Sequence, residues 1–198
     1  MGKARVAKQV GLAALGLVVV VLPPLMIGLS GTASADVLWT TLRLAALEAF
    51  TLISANICIG AFRPLFNRVA KPRTMHRLHV TTGLTGFSIA LAHGVMALIF
   101  GISGYRTVAV WIGPAALAVL ALVILSALNR RRLRHTWRWI HRLNYLIFAA
   151  TLVHGLALGY DLGSSLFLKG CFAVYAAVVA AGLAYRLSGI LRKRHTTA

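Results

Sequence analysis

The stretch HVTTGLTGFSIALAH, residues 79–93, is an apolar segment with a histidine at each end and no other ionisable residue. A second stretch, WRWIHRLNYLIFAATLVH at residues 137–154, carries His141 and His154. The two histidines are fourteen residues apart in the first stretch and thirteen in the second, which corresponds to about 20 Å along a helix. That length fits inside a hydrocarbon core of about 30 Å. Both stretches therefore predict membrane helices with two imidazoles each.

The composition supports a membrane protein. The chain has 198 residues, of which 59% are hydrophobic and only 12% are charged, whereas a soluble domain has about 25% charged residues. Its 21 lysines and arginines face three acids, giving a net charge of +18. These bases form short clusters between apolar runs, which is typical of membrane topology. We expect no nucleic-acid binding, because no basic stripe lies on a soluble domain.

Apolar runs near the roughly 20 residues needed to cross a bilayer occur six times. No linker divides them, so the sequence predicts a single all-α domain over residues 1–198, an integral membrane six-helix bundle. The predicted helices, I to VI, cover residues 10–30, 37–60, 78–103, 107–128, 139–160 and 165–187.

The basic residues predict the orientation of the bundle. Eighteen of the 21 lie within residues 3–8, 63–77, 130–142 and 186–194, which the six segments place on one side. Because basic loops stay cytoplasmic, both termini are expected in the cytoplasm and the protein in the cell membrane. One alternative concerns the start of the chain, where a basic run, an apolar run and Ala33-Ser34-Ala35 imitate a secretory signal. We favour an uncleaved helix kinked at Pro23-Pro24, since the apolar run exceeds the 7–15 residues usual for a signal.

Helices III and V are expected to run parallel, so their histidines match in depth. His79 then lies level with His141, and His93 level with His154. Two facing imidazoles can supply both axial ligands of a haem iron, and an apolar shell suits a porphyrin. The sequence therefore predicts two bis-His b-type haems held between helices III and V, with a buried polar network as the alternative.

Helical phase is less simple for helix V. At 100° per residue, two side chains fourteen residues apart point within about 40° of the same direction around the helix. Two side chains thirteen residues apart point about 140° away from each other. Helix V must therefore tilt, bulge or present its rings to haems on different sides.

These residues resemble the ferric reductase-like transmembrane domain family, which includes NADPH oxidases, ferric reductases and the MsrQ-type haem subunit of bacterial methionine sulfoxide reductase. The resemblance covers nearly the whole chain, although only helices III and V carry specific motifs. They are the paired histidine spacing, Trp137 and Tyr145 in helix V, and Gly83-Leu84 with Phe87 in helix III. It implies a transmembrane cytochrome that relays electrons.

Departures from the family pattern refine that expectation. His79 favours the two-haem arrangement of the oxidases, whereas Ala97 occupies a position where oxidases tend to have a further histidine. No flavin motif and no GxGxxG nucleotide motif occurs. Electrons are therefore expected from a separate cytoplasmic flavoprotein or NAD(P)H-linked reductase, and flavin enters only through that partner.

Charged residues near the histidines are candidates for haem propionates. Arg77 and Arg142 neighbour His79 and His141, the predicted inner ligands on the cytoplasmic side, but they also fit the topology signal. Arg43 lies within helix II, toward the predicted outer haem of His93 and His154. Glu48 could relay protons or pair with Arg43 or another polar neighbour. His76 is the reserve ligand should His79 fail.

The remaining candidates are weaker. His135 is predicted in a loop and His195 in the tail. Cys58 and Cys171 are isolated and predicted to be packing residues. The predicted function is thus electron transfer to an extracytoplasmic acceptor by a subunit of an oxidoreductase. The rivals are a quinone-linked cytochrome b subunit and a non-redox, His-lined metal or haem transporter.

Overall fold

A computed structural model of the protein describes residues 2–29, 35–100 and 107–195. The described residues are all-helical, with ten helices and no strand. Ala33 and Ser34 of the signal-like motif, and the end of predicted helix III, lie outside them. The helices are α1 (Gly2–Leu29), α2 (Val37–Ala61), α3 (Arg63–Phe66), α4 (Pro72–Phe100), α5 (Val108–Leu128), α6 (Arg130–Leu133), α7 (Thr136–Arg142), α8 (Asn144–Leu158), α9 (Tyr160–Ser164) and α10 (Leu166–His195).

Four of these helices are long and apolar enough to cross a bilayer: α2, α4, α5 and α10. This indicates a membrane protein. Predicted helices II and IV agree with α2 and α5 to within a residue at each end. Helix III begins six residues earlier than predicted, at Pro72, and helix VI continues to His195. Proline is favourable in the first turn of a helix because its missing N–H has no partner there, which explains the earlier start.

A polar cap explains where α2 begins. The Asp36 side chain accepts hydrogen bonds from the backbone N–H groups of Leu38 and Trp39, at 2.9 and 3.0 Å. It thereby satisfies two of the donors that a helix start leaves unpaired. Predicted helix I corresponds to α1, which stays helical through Pro23 and Pro24.

Predicted helix V is not one continuous helix. It is divided at Leu143 into α7 and α8, and the Leu143 N–H bonds to the carbonyl of Ile140 at 3.0 Å. The Asn144 side chain donates to the carbonyl oxygen of His141 at 3.0 Å. The division places His141 in α7 and His154 in α8. With fifteen residues, α8 alone is about 22 Å long, shorter than a bilayer core.

The core is organised around α2. Phe50 of α2 stacks on Phe148 of α8 and on Phe172 of α10, with ring centres 5.2 and 4.5 Å apart. Helices α4 and α8 each pack on α2 and α5, but the described residues show no close packing of α4 on α8 or α7. His79 and His93 lie on α4, His141 lies on α7 and His154 lies on α8.

Candidate functional site

The inner histidine pair is formed by one residue of α4 and one residue of α7. The ring centres of His79 in α4 and His141 in α7 lie 5.8 Å apart, with the planes at 67°. The Trp137 ring lies 5.8 Å from that of His141, at 60°. Both histidines are partly buried. The structure thus brings together the two imidazoles that the sequence predicts to be level.

The outer pair consists of His93 in α4 and His154 in α8. Both side chains are partly buried, and they lie on different helices, as those of the inner pair do. The structure therefore brings the two predicted inner ligands into ring contact and positions the two predicted outer ligands on α4 and α8.

Three of the four imidazoles are oriented by backbone carbonyls. The Nδ1–H of His79 donates to the carbonyl oxygen of Asn56 at 3.2 Å, and that of His93 to Leu42 at 3.1 Å. His154 Nδ1 donates to the carbonyl oxygen of Ala109 at 2.8 Å. Since a carbonyl oxygen only accepts, Nδ1 carries the proton and Nε2 keeps its lone pair. Metal-bound histidines use this arrangement, because the hydrogen bond fixes the ring and its tautomer.

Two of these carbonyls belong to α2 and reproduce the histidine spacing. Leu42 and Asn56 are fourteen residues apart, as are His79 and His93 on the antiparallel α4. Asn56 also accepts a hydrogen bond from Thr82 through its side-chain oxygen, at 3.2 Å. Sequence reasoning missed Leu42, Asn56 and Ala109, because a backbone carbonyl acceptor leaves no signature in residue type.

His141 differs from the other three histidines. Its Nδ1 is buried and has no hydrogen-bond partner among the described residues. A buried polar nitrogen without a partner is unfavourable by about 1–3 kcal/mol. This ring therefore fits a site in which a further group completes its interactions.

Two glycines give the imidazoles room. A Cβ on Gly113 of α5 would lie 2.8 Å from Cε1 and 3.2 Å from Nε2 of His154. A Cβ on Gly60 of α2 would lie 3.3 Å from Cε1 of His79. A side chain at position 113 is therefore incompatible with the present position of the His154 ring.

The predicted arginines occupy different environments. Arg43 is buried and forms an ion pair with Asp161 of α9, in which Arg43 Nε donates to Asp161 Oδ2 at 2.9 Å. Arg77 is exposed, and so is Arg142, whose guanidinium lies 4.3 Å from the Trp139 ring centre. Neither contacts the inner pair through a hydrogen bond in the described part of the chain.

Arg186 of α10 contacts the backbone of α2 next to the inner site. Its Nη2 donates to the carbonyl oxygen of Gly60 at 2.6 Å, next to the position that faces His79. Sequence reasoning assigned Arg186 only to the topology signal, since its place in the terminal basic cluster hides its contact with α2.

The remaining candidates occupy several environments. His76 and His135 are exposed, as predicted for surface residues, but His76 lies in α4, one turn before His79, and the prediction of a loop position for it is wrong. Glu48 is partly buried, while Arg43 is paired with Asp161. Cys58 and Cys171 are free thiols packed against the apolar core.

No group of three or more histidine, cysteine, aspartate or glutamate side chains arranged to bind a metal ion occurs in the described ranges. The candidate site instead consists of two-histidine pairs. The chain has no significant match to any family model, any curated protein or any solved structure. The interpretation of the site therefore depends on its geometry and chemistry.

Proposed function

We propose that this protein is a transmembrane b-type cytochrome that relays electrons through two bis-His haems. The observation that carries the proposal is the contact between the His79 and His141 rings, whose centres lie 5.8 Å apart; His93 and His154 are proposed as the second pair. Three of the four rings hold their Nδ1 proton on a backbone carbonyl and so present Nε2 as a ligand. The haems would supply reversible one-electron chemistry at iron.

The inner pair has a spacing that fits one metal between two imidazoles. Metal–imidazole bonds are about 2 Å, and a ring centre lies about 1 Å beyond its nitrogen, so two axial rings have centres about 6 Å apart. The distance between His79 and His141 is 5.8 Å.

The protein residues define what the site can do. Two histidine ligands leave no open coordination position, so electron transfer is favoured over binding of substrate to iron. Apolar surroundings would limit solvent access to the haems and influence their reduction potentials. On α4 the proposed ligands are fourteen residues apart, about 21 Å along the helix, a separation that fits two sites toward opposite faces of a bilayer.

The direction of electron flow follows from the proposed topology. The distribution of basic residues supports six crossings, cytoplasmic termini and location in the cell membrane. His79 and His141 would then hold the haem nearer a cytoplasmic flavoprotein or NAD(P)H-linked reductase. His93 and His154 would hold the haem nearer an extracytoplasmic protein or small-molecule acceptor, and the two haems would supply one-electron transfer between these partners. In this scheme the chain is the electron-transfer subunit of an oxidoreductase, resembling the ferric reductase-like family.

The decisive experiment counts haem in purified protein and records its dithionite-reduced spectrum. We expect two low-spin b-type haems per chain in the wild-type protein. The content of low-spin haem should fall by about half in His79→Ala or His93→Ala. His135→Ala is the matched control and retains both haems, because this side chain is exposed. A loaded preparation with no low-spin haem contradicts the cytochrome proposal and favours the non-redox transporter.

A second candidate is electron supply from quinol within the membrane. An open groove of about 390 Å³ lies between α1 and α10, within the size range of ligand sites. Its lining residues are Leu22, Phe167, Gly170, Cys171, Val174 and Tyr175.

The groove has polar character at one point, since the Tyr175 hydroxyl lies 3.3 Å from that of Thr51. A Cβ on Gly170 meets nothing within 4 Å, so Gly170→Trp fills the groove without a backbone clash. Haem reduction by a soluble quinol analogue that is lost in this variant supports the quinol route. Reduction that stays unchanged excludes it.

A further inference from the structure

We propose that the ion pair of Arg43 and Asp161 is a positioning clamp for the outer histidine pair. This inference rests on the proposed outer haem site and assigns to Arg43 a role other than propionate binding. The pair joins α2 to α9, immediately beyond the helix that carries His154.

The clamp begins on α2, next to the residue that orients His93. Leu42 provides the carbonyl oxygen that accepts the His93 Nδ1–H, at 3.1 Å, and Arg43 follows it in the same helical turn. The Arg43 guanidinium reaches Asp161 through both Nε and Nη2. Such a two-point contact fixes orientation as well as distance.

The clamp ends a short distance from His154. Helix α8 ends at Leu158, and Asp161 lies seven residues after His154. Gly159 makes the tight connection possible, because a Cβ there would collide with the carbonyl oxygen of Gly155. A contact at Asp161 therefore restrains the end of α8 against α2, and with it the separation of His93 and His154.

Burial makes separation of the two charges energetically costly. The side chains of Arg43 and Asp161 are only 5% and 6% exposed, and the Tyr160 ring lies 5.4 Å from the guanidinium. A buried charge is unfavourable without its partner, so neither side chain can leave the contact at little cost. A lysine or arginine that only signals topology lies in the interface and needs no such partner.

The first experiment measures the clamp without relying on haem. Spin labels are attached at Leu98→Cys and Leu156→Cys, exposed positions toward the outer ends of α4 and α8, with both native cysteines replaced by alanine. We expect Asp161→Asn to broaden and lengthen the distribution of distances between the two labels. Labels at Val80→Cys and Leu146→Cys, toward the inner site, should give the same distribution with and without Asp161→Asn.

The second experiment reads the outer haem itself. In Asp161→Asn the low-spin electron paramagnetic resonance signal and the midpoint potential of the outer haem should shift, while those of the inner haem stay constant. Asp36→Asn is the matched control, because Asp36 is an exposed acid of the same helix end and asparagine remains a good helix cap.

A double variant separates positioning from the cost of an unpaired charge. Arg43→Met with Asp161→Leu removes both charges, and apolar replacement of a buried pair is often tolerated. We expect this variant to fold and keep its inner haem, yet to show the same altered outer signal and label distances as Asp161→Asn. Recovery of the wild-type outer signal and distances would mean that the pair only avoids a lone buried charge, and the clamp would be refuted.

The clamp and the cytochrome proposal fail in different ways. Wild-type protein without haem removes the cytochrome proposal, and the label distances still decide whether the ion pair restrains α4 against α8. Unchanged distances in both Asp161→Asn and the double variant remove the clamp, whether or not haem is present.

Discussion

Substitution of Gly113 by alanine should disturb the outer site and leave the inner site intact. The new Cβ would lie 2.8 Å from Cε1 of His154, whereas carbon atoms in contact are about 3.5–4.0 Å apart. The overlap is thus about 0.7 Å or more. The His154 ring cannot simply move away, because its Nδ1 is held 2.8 Å from the carbonyl oxygen of Ala109. Ala109 lies one turn before Gly113 on α5.

The magnitude follows from the cost of overpacking. Forcing an extra methyl group into a packed site costs about 1–3 kcal/mol. If the cost falls on the outer haem site, where the His154 ring must be displaced, affinity for that haem drops about 5- to 150-fold. Replacing a helical glycine with alanine itself favours the helix by about 1 kcal/mol, so loss of global folding is not expected.

The assay is titration of haem-depleted protein with haem, followed by the low-spin absorbance of each site. Gly60→Ala should weaken the inner site only mildly, because its Cβ approaches His79 at 3.3 Å. Gly170→Ala is the matched control, since its Cβ meets nothing within 4 Å. An outer haem that binds to Gly113→Ala with unchanged affinity and spectrum would refute the proposed role of the His154 ring.

Three further outcomes are expected. Removal of single ligands should affect different haems. His154→Ala should leave a high-spin outer iron and abolish transfer to an external acceptor, whereas His141→Ala should block electron entry from a cytoplasmic reductase. Loss of the same haem in both variants would disprove the level pairing. Reporter fusions should be cytoplasmic at the C-terminus and external at Gly163, and the reverse pattern would exchange the donor and acceptor sides. Arg186→Gln, which loses the charged donor to the Gly60 carbonyl oxygen, should shift the midpoint potential of the inner haem alone, and an equal shift of both potentials would exclude a local effect.

Much of the helical architecture could be predicted because it depends on long apolar runs. The boundaries of α2 and α5 follow from such runs, and so does the all-helical character of the described chain. The inner pair could also be predicted, since His79 and His141 begin two apolar segments that the basic loops orient in parallel. Hydropathy and charge specify these features locally, without reference to distant contacts.

Contacts between distant parts of the chain could not be predicted in the same way. Arg43 and Asp161 are 118 residues apart, and an arginine in a membrane helix is equally compatible with a carboxylate on another helix or with a propionate. The carbonyl oxygens of Leu42 and Ala109 are still less accessible to prediction, because every residue has one. Only the packing of α4 and α8 on their neighbours selects which carbonyl each imidazole meets.

The division of predicted helix V at Leu143 removes the difficulty that the thirteen-residue spacing of His141 and His154 would cause on one straight helix. On one straight helix, rings thirteen residues apart would point about 140° away from each other, and both could not face α4. With the helix interrupted, His141 on α7 meets His79, while His154 on α8 meets the carbonyl of Ala109 on α5. The two rings are consequently held by different means. His154 is oriented by a backbone carbonyl and lies on α8, whose C-terminal end is followed directly by α9 and the ion pair. His141 lies on a short helix with its Nδ1 unpartnered among the described residues, so the orientation of its ring depends on packing beside Trp137.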